Sequence, residues 1–186
     1  KNKNKFIYEK YKKIKQYQKM IRFVYQDKPR GTGDAILKCQ KLIKNKFFLM
    51  LLPDDLIINK NCTKEILKLH SKTKSSIIST KTVNKKNVAR WGILKGKNKK
   101  KNYFQIIDVI EKPSIKKAPS NYAIIGRYIL PYKIFHAIKK LKPIKGREVH
   151  VTDAIRDLIL NGNSFFANIF KGKYLDCGTL QGYINS

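Results

Sequence analysis

The chain is 186 residues long and 42% hydrophobic, enough for one folded domain with a real core, which excludes a chain disordered throughout. Its formal charge of +30 (42 Lys and Arg against 12 Asp and Glu) suggests an anionic partner, yet Lys outnumbers Arg 36 to 6, and Asn, Ile, Tyr and Phe are plentiful too. Those residues share A/T-rich codons, so genome composition accounts for the charge better than a nucleic-acid groove, which would favour the planar fork of Arg.

In chain order, residues 1–20 are rich in lysine, with Phe6, Tyr8, Tyr11, Ile14 and Tyr17 near helical spacing, and a helix is expected. A glycine-broken loop at Arg30-Gly31-Thr32-Gly33 precedes a second helical pattern from Asp34 to Ile43. Phe47 to Leu52 is a continuous apolar run ending at Pro53-Asp54, which predicts a strand buried on both faces in a mostly parallel sheet. It is too short to span a bilayer, and Lys1 to Lys5 lacks the apolar segment that follows in a signal peptide.

Thr63 to His70 reads as a helix and Ser75 to Thr82 as a strand. Trp91 to Leu94 and Ile106 to Glu111 predict two strands around a lysine-rich tip, Lys95 to Asn102. Ala123 to Leu130 is another strand, Pro131 starts a helix continued by Ile134 to Leu141, and Thr152 caps a helix over Asp153 to Leu160 that Asn161-Gly162 stops. Ser164 to Phe170 closes as a strand. Alternating helices and strands imply a layered α/β fold.

Several of these junctions carry residues suited to chemistry. Asp54 and Asp55 follow a buried strand, where open α/β sheets bind ligands; they suit magnesium, which prefers hard oxygen ligands, and equally a plain turn. Gln26 to Gly33 is a glycine-bearing helix entry fit for an anion, or simply a loop; the Gln26 amide offers both donor and acceptor to a base edge. Glu111-Lys112-Pro113 ends a strand with a carboxylate for sugar hydroxyls and a lysine for a phosphate, although a Glu-Lys pair also decorates surfaces. Asp176-Cys177-Gly178 offers a second carboxylate to complete a metal site with Asp54, or another turn. Cys39, Cys62 and Cys177 are odd in number without metal spacing, which suits a reduced, cytoplasmic protein; His70, His136 and His150 lack metal spacing as well.

The order and wording of these segments resemble the bacterial UTP–glucose-1-phosphate uridylyltransferases from residue 21 onward. The matching motifs begin with Gln26, Gly31 and Gly33, then Leu52-Pro53-Asp54, then Trp91-Gly92, then Val109 to Pro113. The stretch Ala118 to Tyr128, Glu148 with Val151 to Ile155, and Asp176-Cys177-Gly178 with Gly182-Tyr183 complete them. The resemblance implies a three-layer Rossmann-like nucleotidyltransferase fold with a mixed, mostly parallel sheet. It implies that Asp54 and Asp176 hold Mg2+, that Gln26 and Gly31 recognise uracil, that Gly92, Glu111 and Asn121 line glucose, and that Lys112 meets the sugar phosphate. The implied reaction joins UTP and glucose 1-phosphate into UDP-glucose and pyrophosphate, in a homo-oligomer of the whole enzyme.

Three positions depart from the family pattern: Asp34 stands in place of a His, and Arg147 and His150 in place of a Gly and a Gln. The family's opening strand and its glycine-rich phosphate loop have no counterpart, since residues 1–20 contain no glycine, so the 186 residues alone are expected to make no UDP-glucose. A thymidylyl relative and a basic protein that binds nucleic acid without catalysis are the alternatives.

Overall fold

The computed structural model describes residues 2–141 and 148–184. Eight strands fall into a six-stranded sheet and a two-stranded one. They are β1 (Phe47–Leu51), β2 (Asp55–Ile58), β3 (Ser76–Thr82), β4 (Gly92–Lys97), β5 (Tyr103–Glu111), β6 (Tyr122–Pro131), β7 (Phe165–Ile169) and β8 (Lys173–Asp176). The large sheet has the order β1-β6-β3-β7-β5-β4 and is mixed: β3 and β7 pair in parallel, and the other neighbours pair antiparallel. β1, β3, β4 and β7 therefore run one way and β5 and β6 the other, so most strands share a direction although most neighbours oppose.

Alternation along the strands sorts the core onto two faces. Ile78 of β3 with Ile124, Tyr128 and Leu130 of β6 meets α2 (Thr32–Lys38), α4 (Ile134–Lys140) and α5 (Val151–Leu160). The intervening Ile77, Ile125 and Ile129 face α3 (Cys62–Thr73) through Cys62, Ile66 and Leu69. Helices on both faces of one sheet make the three layers. Two further helices, α1 (Asn2–Gln18) and α6 (Leu180–Ile184), lie at the ends of the described chain.

Some boundaries differ from the sequence reading, each for a tertiary reason. β1 is an edge strand with Leu49 and Leu51 half-exposed, because among the described strands it pairs with β6 alone. Thr152 does not cap α5, which starts a residue earlier at Val151; its hydroxyl donates to Glu111 Oε2 at 2.7 Å instead. Pro131 ends β6 instead of opening a helix. The second helical pattern breaks after Lys38 into the 3-10 turn Gln40–Leu42. β4 and β5 run further than expected and leave only residues 98–102 as their tip. α1 forms as expected, but its residues from Asn4 onward are exposed, and Lys10, Lys12 and Lys15 lie over the rings of Phe6, Tyr8 and Tyr11 one turn earlier.

Candidate active site

The two-stranded sheet decides where the first carboxylates go. β2 and β8 are too short to persist alone, and they pair antiparallel with Asp55 opposite Asp176, while the Cys177 N–H donates to the Asp54 carbonyl at 2.8 Å. Segments more than a hundred residues apart thus meet in register. A Cβ added to Gly178 would sit 2.6 Å from Asp54 Oδ2 and 3.5 Å from Asp176 Oδ1. The two carboxylates therefore flank one small space that glycine keeps open.

That donor set suits a divalent cation with hard-oxygen preference. No group of three or more His, Cys, Asp or Glu suited to a metal occurs among the described residues, so the other ligands would come from water or substrate oxygens, the usual habit of magnesium. The Asp54 and Asp176 pair fits such an ion on that basis.

Asp55, one residue on, does a different job. It is buried, Oδ1 accepting from Tyr174 Oη at 2.5 Å and Oδ2 from the Gly126 N–H at 2.5 Å. Burial raises the Asp55 carboxyl above the ordinary carboxylate range, and the bonds from Tyr174 and Gly126 oppose that shift. Burial first, and then the neighbouring Asp55, push the Tyr174 phenol up. Arg127 clamps the same turn: its Nη1 donates to the Leu52 carbonyl at 3.0 Å and its Nη2 to the Asp55 carbonyl at 2.9 Å. Fixed this way, the Leu52 to Asp55 segment presents Asp54 from a rigid base.

The opposite wall comes from the β4–β5 ladder, where Gly92 and Glu111 are register partners. A Cβ at Gly92 would lie 3.0 Å from Glu111 Oε2, Ile124 Cδ1 and Thr152 Cγ2 alike, so any side chain there would crowd three neighbours at once. Lys112 holds φ at 44°, a left-handed backbone uncommon for a residue with a side chain, with its N–H on the Trp91 carbonyl at 3.1 Å. Such outliers cluster at functional sites.

One cavity of about 350 Å³ joins these groups; Asp54, Asp176, Gly92, Glu111 and Lys112 all line it. Asn121 lies off the lining, with Nδ2 on the Val83 carbonyl at 3.3 Å. Gln26 lies off it as well, its Nε2 donating to Asp34 Oδ2 at 2.6 Å and to the Gly31 carbonyl at 3.2 Å. Gly31, at φ 102°, packs on Val149, while its neighbour Thr32 reaches the cavity. Arg147 falls outside the described residues.

Sequence reading offered Asp55 to the metal beside Asp54, whereas Tyr174 and Gly126 hold it; it missed Arg90, Thr152 and Tyr174 as site residues and gave His150 no role, although all five line the cavity. The signal for Thr152 was its place in the motif Val151 to Ile155; Arg90 and Tyr174 carry no signal without the fold.

Among the described residues, five carboxylates line this cavity (Asp54, Asp55, Glu111, Glu148 and Asp176) against two basic side chains, Arg90 and Lys112. Its described lining is thus acidic in a basic chain, which suits a cation better than a polyanion.

The model of the nucleotidyl transferase family matches residues 1–186. The chain belongs to the nucleotidyl transferases. This nucleotidyl transferase chain is 36% identical over 167 residues to the UTP–glucose-1-phosphate uridylyltransferase of Pseudomonas aeruginosa, covering 88% of the chain and 60% of that relative. It is also 36% identical over 172 residues to UTP–glucose-1-phosphate uridylyltransferase 2 of Streptococcus pyogenes serotype M3, covering 89% of the chain and 57% of the relative. Its fold matches a crystal structure of UDP-glucose pyrophosphorylase complexed with UDP-glucose at a TM-score of 0.83 and 37% identity, over 88% of the chain and 63% of that structure. The chain thus spans about 60% of the length of the relatives it matches. No described helix is long and apolar enough to cross a membrane.

Proposed function

We propose that these residues form the cation- and sugar-phosphate-binding part of a UTP–glucose-1-phosphate uridylyltransferase. The observation that carries the reading is the single cleft in which Asp54, Asp176, Glu111, Lys112 and Gly92 converge. In the proposed reaction a phosphate oxygen of glucose 1-phosphate attacks the α-phosphorus of UTP. The new P–O bond makes UDP-glucose as the bond to the β-phosphate breaks, and pyrophosphate leaves with its electron pair. Chemistry of this kind rests on positioning and charge neutralisation.

Asp54 and Asp176 would hold Mg2+, which when bound neutralises charge on the phosphates. Lys112 meets the sugar phosphate as a point charge, on a backbone already set in its strained conformation. Glu111, oriented by the Thr152 hydroxyl, accepts from sugar hydroxyls. Gly92 lets the ring come close; Asn121 for the sugar, and Gln26 and Gly31 for the uracil edge, are proposed on the family resemblance alone, since all three lie off the cavity lining. The whole enzyme is proposed to be a cytoplasmic homo-oligomer, a state that size-exclusion chromatography with light scattering reads directly.

The test is ligand-dependent melting of the 186-residue chain. UDP-glucose with Mg2+ is expected to raise Tm, TDP-glucose to raise it less, and Asp176→Asn to abolish the metal-dependent part. A chain whose Tm responds to RNA but not to UDP-glucose with Mg2+ would overturn the reading.

A further inference from the structure

Arg90 ends the 3-10 segment Lys85–Arg90, at the mouth of the cleft, and its Nη2 donates to Asp176 Oδ2 at 2.6 Å. The guanidinium carbon stands 4.8 Å from the centre of the Trp91 ring, and the side chain is 47% exposed against 23% for Asp176. The other carboxylate oxygen, Oδ1, accepts from the Gly178 N–H at 3.2 Å and faces the space shared with Asp54. Arg90 thus neutralises the outer side of a carboxylate whose inner side is directed at the metal position. An exposed pair of this kind is weak and easily exchanged. The Arg fork also suits two adjacent phosphate oxygens, which Lys112, a point charge, does not engage bidentately.

We propose that Arg90 is an exchangeable counter-ion. It holds Asp176 while the metal position is empty, yields that carboxylate to a divalent cation, and then turns its fork, still stacked on Trp91, to the diphosphate of the ligand. The diphosphate half rests on the uridylyltransferase reading; the counter-ion half does not. Two observations support the exchange: among the described residues Arg90 and Lys112 are the basic side chains that line the cleft, and of these Arg90 is the one paired with Asp176. A cation on Asp176 cancels the charge that holds the guanidinium and repels it, while phosphates arriving with that cation supply a new anion within its reach.

The test compares wild type, Arg90→Ala and Arg90→Lys in three titrations, with circular dichroism confirming an unchanged fold. Mn2+ alone, followed by the free-ion EPR signal, is expected to bind Arg90→Ala about two- to fivefold more tightly than wild type, the range set by the worth of an exposed ion pair, with Arg90→Lys near wild type. UDP-glucose at saturating Mn2+, by calorimetry, is expected to bind Arg90→Ala at least about tenfold more weakly, with Arg90→Lys in between. Pyrophosphate at saturating Mn2+ is expected to follow UDP-glucose. Equal or weaker Mn2+ binding by Arg90→Ala overturns the counter-ion role, and equal pyrophosphate binding overturns the phosphate role. If wild type binds Mn2+ and pyrophosphate but not UDP-glucose, the uridylyltransferase reading falls, and the pyrophosphate comparison still decides Arg90.

Discussion

Asp55 offers the sharpest test of how the cleft is built. Its carboxylate is buried and takes one hydrogen bond from the Tyr174 hydroxyl and one from the Gly126 N–H, both at 2.5 Å. Asp55→Ala removes both and leaves a buried backbone N–H without an acceptor. Hydrogen bonds to a charged group are worth about 1.5–3 kcal/mol each, and release of the carboxylate from its own burial cost returns part of that. The net loss is expected at about 2–4 kcal/mol, a large share of the roughly 5–15 kcal/mol typical of a folded domain. Asp55→Asn keeps the shape: its oxygen still accepts from Gly126 and its amide donates to the Tyr174 oxygen, so the loss should be about 1 kcal/mol or less.

Urea unfolding reads both variants as shifts in midpoint at constant slope. Mn2+ titration of the same variants should follow the same order, because the Asp54 turn rests on this network. The reasoning is refuted if Asp55→Ala stays within about 0.5 kcal/mol of wild type, or if Asp55→Asn costs as much as Asp55→Ala.

Two further outcomes follow from the geometry. Gly178→Ala would place a methyl group 2.6 Å from Asp54 Oδ2, so the carboxylate must swing aside; Mn2+ affinity should fall several-fold while the urea midpoint barely moves. Cys62 is buried against Ser79, Sγ to Oγ 2.9 Å, and burial pushes its thiol above the ordinary range, the Ser79 bond pulling the other way. An acid whose folded value lies above its unfolded one stabilises through its protonated form. That contribution is whole below about pH 8.5 and drains away as pH rises through the folded value. Urea midpoints of wild type should therefore fall more steeply than those of Cys62→Ala above that pH, and Cys62 should resist thiol reagents until the chain unfolds.

Legibility from sequence followed the range of the forces involved. β6 was readable because a strand buried on two faces is mostly apolar, β3 because Ile77, Ile78, Thr80 and Thr82 are β-branched, and α3 because one face meets the sheet in turns of 3.6 residues. β1 was recognised as a strand, but its exposure was not, since that depends on which strands stand beside it. β2 and β8, four residues each, have no periodicity to detect and exist only by pairing. Thr152 looked like a cap because its local chemistry is that of one; an acceptor forty-one residues away in sequence, Glu111, claimed the hydroxyl. The acidic members of the site were visible because they stand at strand ends. The cations that organise them, Arg90 and Arg127, were lost among forty others.

The distribution of charge, more than its total, bears on function. Fields between exposed charges fade over about 8 Å at physiological ionic strength, so lysines scattered over the surface govern what approaches the molecule, and the groups in the cleft govern what stays there. The surface, at +30 overall, draws anions such as nucleotides and sugar phosphates. The cleft, with five carboxylates and two basic side chains among the described residues, would repel the same anions arriving bare. A phosphate ligand is therefore accepted best together with a divalent cation, which satisfies Asp54 and Asp176 and frees Arg90 and Lys112 to face the phosphates. Had the basic charge been arranged to grip a polyanion, this cleft would be rich in basic side chains, and among the described residues carboxylates outnumber them there.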